Sequence, residues 1–207
     1  MLKLESNLKL NNKGMSLVEL IVVMAIMVVL ASGSVIGLSL LINSEAKQAA
    51  YKFNAELNEL KTGTMTRAGE VLYLRYVSDT QVSDTEGADK PGFYAEKAIA
   101  TIDNKPVVKW DYDDHEYTSI GSGKISITAA FADGSTFEVK GTDALRIEYN
   151  RRTGVLEVAQ TGTSAALKSA DADFSAAGTL KSIQFVGGQH VYEIDFEANG
   201  KHTLKKN

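Results

Sequence analysis

The sequence predicts an α+β fold in which one long amino-terminal α-helix packs on an antiparallel β-sheet made by the rest of the chain. Three observations point there. Leu20–Ile42 contains no charged residue, apolar residues then recur at helical spacing as far as Leu60, and from Ile125 onward short segments alternate apolar with polar positions between turn signals. Period 3.6 and period 2 mark different elements, and each leaves one apolar face that the other can cover.

The helix comes first. About 20 apolar residues at a rise of 1.5 Å cover the hydrocarbon core of a bilayer, so Leu20–Ile42 is long enough to span one. Ahead of it lies a polar leader, Met1–Gly14, with Lys3, Lys9 and Lys13 against Glu5. Positive flanks stay on the cytoplasmic side, which predicts a single pass through the cytoplasmic membrane with the amino terminus inside. A secretory signal has an apolar region of about 7–15 residues, and this run is longer. Past Ile42, Ala46, Ala50, Phe53, Leu57 and Leu60 share one face, while Glu45, Lys52, Glu56 and Glu59 occupy others. Gly63 or Gly69 should end the helix. The expected organisation is a leader over 1–14, a spanning and assembly helix over 15–42, and a globular domain over 43–207 whose helix extends to about 62–69.

The strands follow. Ile125, Ile127, Ala129 and Phe131 lead through Asp133-Gly134 to Phe137 and Val139, the signature of a hairpin. Leu145, Ile147 and Tyr149 lead through Arg151–Gly154 to Leu156 and Val158. Ile183 and Phe185 are answered by Tyr192, Ile194 and Phe196, and Asn199-Gly200 precedes His202–Leu204. Alternation gives one apolar face, which matches the single stripe of the helix. Glu70–Gly123 and Thr161–Gly178 show no such pattern and read as surface loops, where binding function concentrates.

The junction between leader and helix is the most specific feature. Lys13-Gly14 is followed by Met15-Ser16-Leu17-Val18-Glu19, so a glycine and a carboxylate stand at fixed spacing before the uncharged run. This order resembles the type IV prepilins, the family of pilus subunits and of the pseudopilins of type II secretion and DNA uptake. The resemblance runs from Lys13 to Ile42. It implies that a membrane peptidase cuts after Gly14, that the new amino terminus on Met15 is methylated, and that Glu19 becomes the fifth residue of the mature chain. It also implies a pilin-like fold, with other pilin subunits, the inner-membrane assembly machinery and the lipid bilayer as partners. The family more often carries phenylalanine at the first mature position and a proline midway along the helix. Here Met15 takes that first place, and Gly33 and Gly37 are the weak points of the span.

Glu19 would carry the mechanism. A carboxylate at mid-membrane costs about 2.5–3.5 kcal/mol on insertion scales. Cleavage after Gly14 would create an amine four residues away, cationic near neutral pH. Its partner is Glu19 of the same chain or, as the resemblance implies, Glu19 of a neighbouring subunit. The charge would then set axial register while apolar packing supplies most of the attraction. Gly33 and Gly37 form a small-xxx-small pattern that lets helix backbones approach in lipid, or else a flexible point.

Other functions find little support. The net charge is −4, and removing the leader makes the product more acidic, which argues against nucleic acid as a main ligand. Cysteine is absent, so no disulfide staples the fold and no thiol nucleophile exists. No nucleophile elbow or phosphate loop appears, so neither an enzyme nor a cofactor is expected. Asp111, Asp113, Asp114, His115 and Glu116 make the one acidic cluster suited to a metal, but Glu116 stands where the calcium-hand pattern needs glycine, and no metal site is expected. Three readings remain: a type IV pilin, exported to an extracellular pilus for adhesion or motility; a pseudopilin of a secretion or uptake machine; and a signal-anchored surface binding protein that never polymerises.

Overall fold

The structure, a computed structural model, describes residues 16–66, 70–82, 88–99, 116–163, 175–176 and 178–207. Its first element is α1 (Leu17–Thr66). The chain forms two compact units, Met1–Leu38 and Ser39–Asn207. In the first unit every described side chain from Ser16 to Ala31 is exposed. Among the described residues no helix is long and apolar enough to cross a membrane; the uncharged run of the sequence continues through 32–39, whose side chains lie outside the described set.

In the second unit, Ala46, Ala50, Phe53, Leu57 and Leu60 are fully buried together with Ala49, as the spacing of the stripe predicts. Alanine at three of these positions lets the backbones close up. A Cβ on Gly187 would lie 2.5 Å from the Ile42 carbonyl oxygen and 2.7 Å from the Ala46 methyl, so this contact requires glycine. The helix passes Gly63 and ends at Thr66. Gly63 costs about 1 kcal/mol as a helix residue, yet its bare Cα makes room for the Glu70 side chain.

Two antiparallel sheets pack with α1, where the sequence pattern suggested one. The first comprises β1 (Glu70–Val77), β2 (Gly92–Ile99), β3 (Glu116–Gly121), β6 (Asp143–Tyr149), β7 (Leu156–Thr163) and β8 (Ser175–Ala176), in the order β3-β2-β1-β6-β7-β8. The second comprises β4 (Ser126–Phe131), β5 (Thr136–Glu138), β9 (Leu180–Gly187), β10 (His190–Phe196) and β11 (His202–Lys206), in the order β11-β10-β9-β4-β5. The three expected hairpins are present as β4–β5, β6–β7 and β9–β10, with β11 pairing on β10. Gly134 turns the first of them at φ 89°, where a side chain would be strained.

The segment Glu70–Gly123 is not the loop that its lack of pattern suggested. It supplies β1, a short helix α2 (Asp79–Val82), β2 and β3. Leu72 and Leu74 join the core with α1, while Val71, Tyr73 and Arg75 point to the opposite face and are buried as well. A strand buried on both faces shows no alternation, which hides it from a period-two reading. Within Thr161–Gly178 the described residues extend β7 to Thr163 and form β8; Asp171 and Asp173 lie outside the described residues.

Charge joins helix to sheet at the margins of the apolar stripe. Glu56 is 9 % exposed rather than on a solvent face. The buried Lys97 ammonium on β2 lies 3.1 Å from Glu56 Oε2 and 2.9 Å from Glu59 Oε1. Nearby, the Ser122 hydroxyl donates to Glu45 Oε2 at 2.6 Å, and Lys52 Nζ donates to the Ser119 carbonyl at 2.9 Å.

Candidate functional site

The sequence singles out Gly14, Met15, Glu19, Gly33 and Gly37. Gly14 and Met15 fall outside the described residues. Gly33 and Gly37 lie within α1, and their surroundings fall outside the described set. Glu19 is in the first turn of the helix, and here the geometry is specific.

Ser16 is the N-cap. Its carbonyl accepts the first helical hydrogen bond, from Leu20 N at 3.1 Å. Glu19 N donates to Ser16 Oγ at 3.2 Å, and Ser16 N donates to Glu19 Oε2 at 3.0 Å. This reciprocal pair is a capping box, which satisfies two of the amide donors that a helix start leaves without partners. The carboxylate also sits at the positive end of the helix dipole. The signal was present in the sequence as Ser16-Leu17-Val18-Glu19, the S-x-x-E pattern before an apolar run, and reading Glu19 only as an assembly charge overlooks it.

Around this charge the surface is apolar and open. Leu17, Val18, Leu20 and Ile21 are all more than half exposed, Leu17 reaching 76 %. Such a continuous apolar surface marks contact with lipid or with another protein. A carboxylate set in it has one oxygen, Oε2, committed to the cap, which leaves Oε1 to accept from an outside donor. Replacing Ser16 with alanine should therefore loosen the helix start by about 1 kcal/mol. Amide exchange at Glu19 and Leu20 should accelerate accordingly, and unchanged protection there would count against the cap.

Strong electrostatic perturbation in the second unit serves packing instead. On the face of β1 turned from α1, burial pushes the Tyr73 hydroxyl up to about 12, against the lowering influence of the Arg146 guanidinium. Arg75 Nε lies 3.0 Å from Glu96 Oε2, whose other oxygen accepts from the Tyr117 hydroxyl at 3.0 Å. Arg146 pairs with Glu148 at 2.7 Å. These groups pair by charge, as buried charges must. The acidic cluster named above lies outside the described residues from Asp111 to His115, and Glu116 opens β3. Among the described residues no three His, Asp or Glu side chains gather in a way that could hold a metal.

No curated protein and no solved structure matches the chain. Residues 9–35 match the family model of the prokaryotic N-terminal methylation motif. That match takes in the Gly14 junction, the capping box and the exposed apolar turns that follow. The chain carries the type IV prepilin-like motif at its amino-terminal end.

Proposed function

We propose that the chain is the precursor of a structural subunit of a type IV pilus or related filament. A prepilin peptidase removes Met1–Gly14, Met15 becomes the methylated amino terminus, and the subunit waits in the cytoplasmic membrane before polymerising through α1 with other pilin subunits, driven by the inner-membrane assembly machinery. The filament then displays the globular domain outside the cell. The role is structural rather than catalytic. The observation that carries this reading is the coincidence, within one match over residues 9–35, of a glycine junction with a carboxylate held in the first turn of an otherwise apolar, exposed helix.

Chemistry supports the pairing. The Glu19 carboxylate already accepts from Ser16 N through one oxygen, so a liberated Met15 amine can approach the other without breaking the cap. An ion pair formed there, within the chain or across subunits, removes an isolated charge from an apolar filament core, where leaving it unpaired is costly.

The junction is tested by Gly14→Ala. Protein recovered from its native membrane should shift from a mature mass beginning at methylated Met15 to one that retains the leader. Native material that keeps Met1–Gly14 in every form, or a Gly14→Ala variant processed as fast as the parent, would overturn the reading.

A further inference from the structure

β11 is the outermost strand of the five-stranded sheet and the last strand of the chain. Its partner is β10 alone, so it can leave without breaking any other pairing. Its first residue, His202, lies opposite Phe196 in register. The imidazole stands 6.0 Å from the Phe196 ring and 6.5 Å from the Tyr149 ring, centroid to centroid. Nδ1 is 3.2 Å from the Tyr149 hydroxyl, and Nε2 is buried.

The groups facing this ring come from three elements. From β6 comes the Tyr149 hydroxyl, from β10 the Phe196 ring, and from α1 the Lys61 ammonium and the backbone of Asn54. Lys61 Nζ sits 6.0 Å from the Tyr149 ring centroid and donates to the Gly200 carbonyl at 2.9 Å, just ahead of His202 in the chain. No carboxylate stands among these groups. A neutral ring suits the site, with the Tyr149 hydroxyl donating to Nδ1. Adding a proton makes Nδ1 a donor, so the hydroxyl must turn to accept, and it places a second cation near Lys61 in a partly buried position. Burial, then the Lys61 charge, hold the imidazole below its ordinary value, with the Asn54 backbone pulling the other way.

We propose that His202 is an acid-sensitive latch for the carboxy-terminal strand, holding β11 against α1 and β6 while neutral and releasing it on protonation. The released strand binds more protons than the docked one. Docking is therefore fully stable above the ordinary histidine range and weakens as pH falls through it. The Lys205–Asp195 pair also joins β11 to β10, and its hydrogen bond holds the lysine above its ordinary value, so Lys205 is a cation at both pH 7.5 and pH 5.5. Over the same range Glu193 stays ionised: burial raises it, but hydrogen bonds from Ser182, Gln184 and Asn207 prevail and hold it low.

The test is hydrogen exchange of the full-length protein in detergent at the two pH values, corrected for the intrinsic pH dependence of exchange. Peptides covering β11 should lose protection severalfold at pH 5.5 while those covering β1 and β6 do not. His202→Phe and His202→Gln should each abolish the difference, and His190→Gln, at the far end of β10, should preserve it. Equal β11 protection at both pH values would overturn the latch. So would a loss shared by β1 and β6, a pH response retained in whichever His202 variants fold, or its disappearance in His190→Gln.

Discussion

In the proposed assembly, Glu19→Leu should leave the protein inserted in the membrane and abolish filament formation. Insertion survives because the substitution removes a carboxylate costing up to about 2.5–3.5 kcal/mol in the apolar core and adds a favourable residue. Assembly fails because apolar packing alone fixes no register: the exposed face from Leu17 to Leu30 can slide along a like surface with little change in contact. A charge pair at one level gives a single optimum, in the way that one polar position specifies register in a coiled coil. Electron microscopy of sheared surface material, beside a membrane-fraction blot, separates the two effects. Normal filaments from the variant would remove Glu19 from assembly. Ser16→Ala is the necessary companion, because Glu19→Leu also breaks the capping box; filaments from Ser16→Ala would assign the loss to the charge rather than to the helix start.

Lys97→Met should destabilise the globular domain by about 3–5 kcal/mol, the range for breaking a buried ion pair from one side. The cost comes from what remains. Glu56 keeps its place between α1 and β2 with its partner gone, while the largely exposed Glu59 returns to water. Removing both charges reverses the outcome. Lys97→Met combined with Glu56→Leu should recover most of the loss, since apolar replacements of a buried pair are often neutral or stabilising. Denaturant midpoints for the two single variants and the double variant, read by circular dichroism, close the cycle. Additive losses in the double variant would show that the pair carries no coupling and that packing of the lysine stem accounts for the effect.

Much of this fold was legible in the residues. The stripe Ala46–Leu60 and the hairpins around Asp133-Gly134 and the link between Phe185 and Tyr192 each expose one face, and a single exposed face writes its period into the sequence; β6 showed through Leu145, Ile147 and Tyr149 although Ala144 and Arg146 on its other face are buried too. β1 was not legible for the opposite reason. Glu-Val-Leu-Tyr-Leu-Arg-Tyr-Val mixes aromatic, aliphatic and charged residues because both faces are covered, one by α1 and one in a layer where Arg75 meets Glu96. Glu56 reads as a charge on another face of the helix, because a glutamate and the distant Lys97 give no sign in the sequence that they will be sealed together. At the candidate site the position of Glu19 was evident, whereas its bond to Ser16 needed the S-x-x-E spacing to be read as helix chemistry.

The neighbour relations of β1 shape how the chain can fold as it is delivered. β1 lies between β2 and β6, with Leu72 opposite Ile147. β2 to β5 all intervene in the chain, so one side of this central strand stays open until β6 arrives. Such distant pairing slows folding and lengthens exposure of a sticky edge. A polypeptide halted before Asp143 would carry an unsealed, largely apolar ribbon beside its helix, the form most in need of a chaperone and most readily taken by a protease.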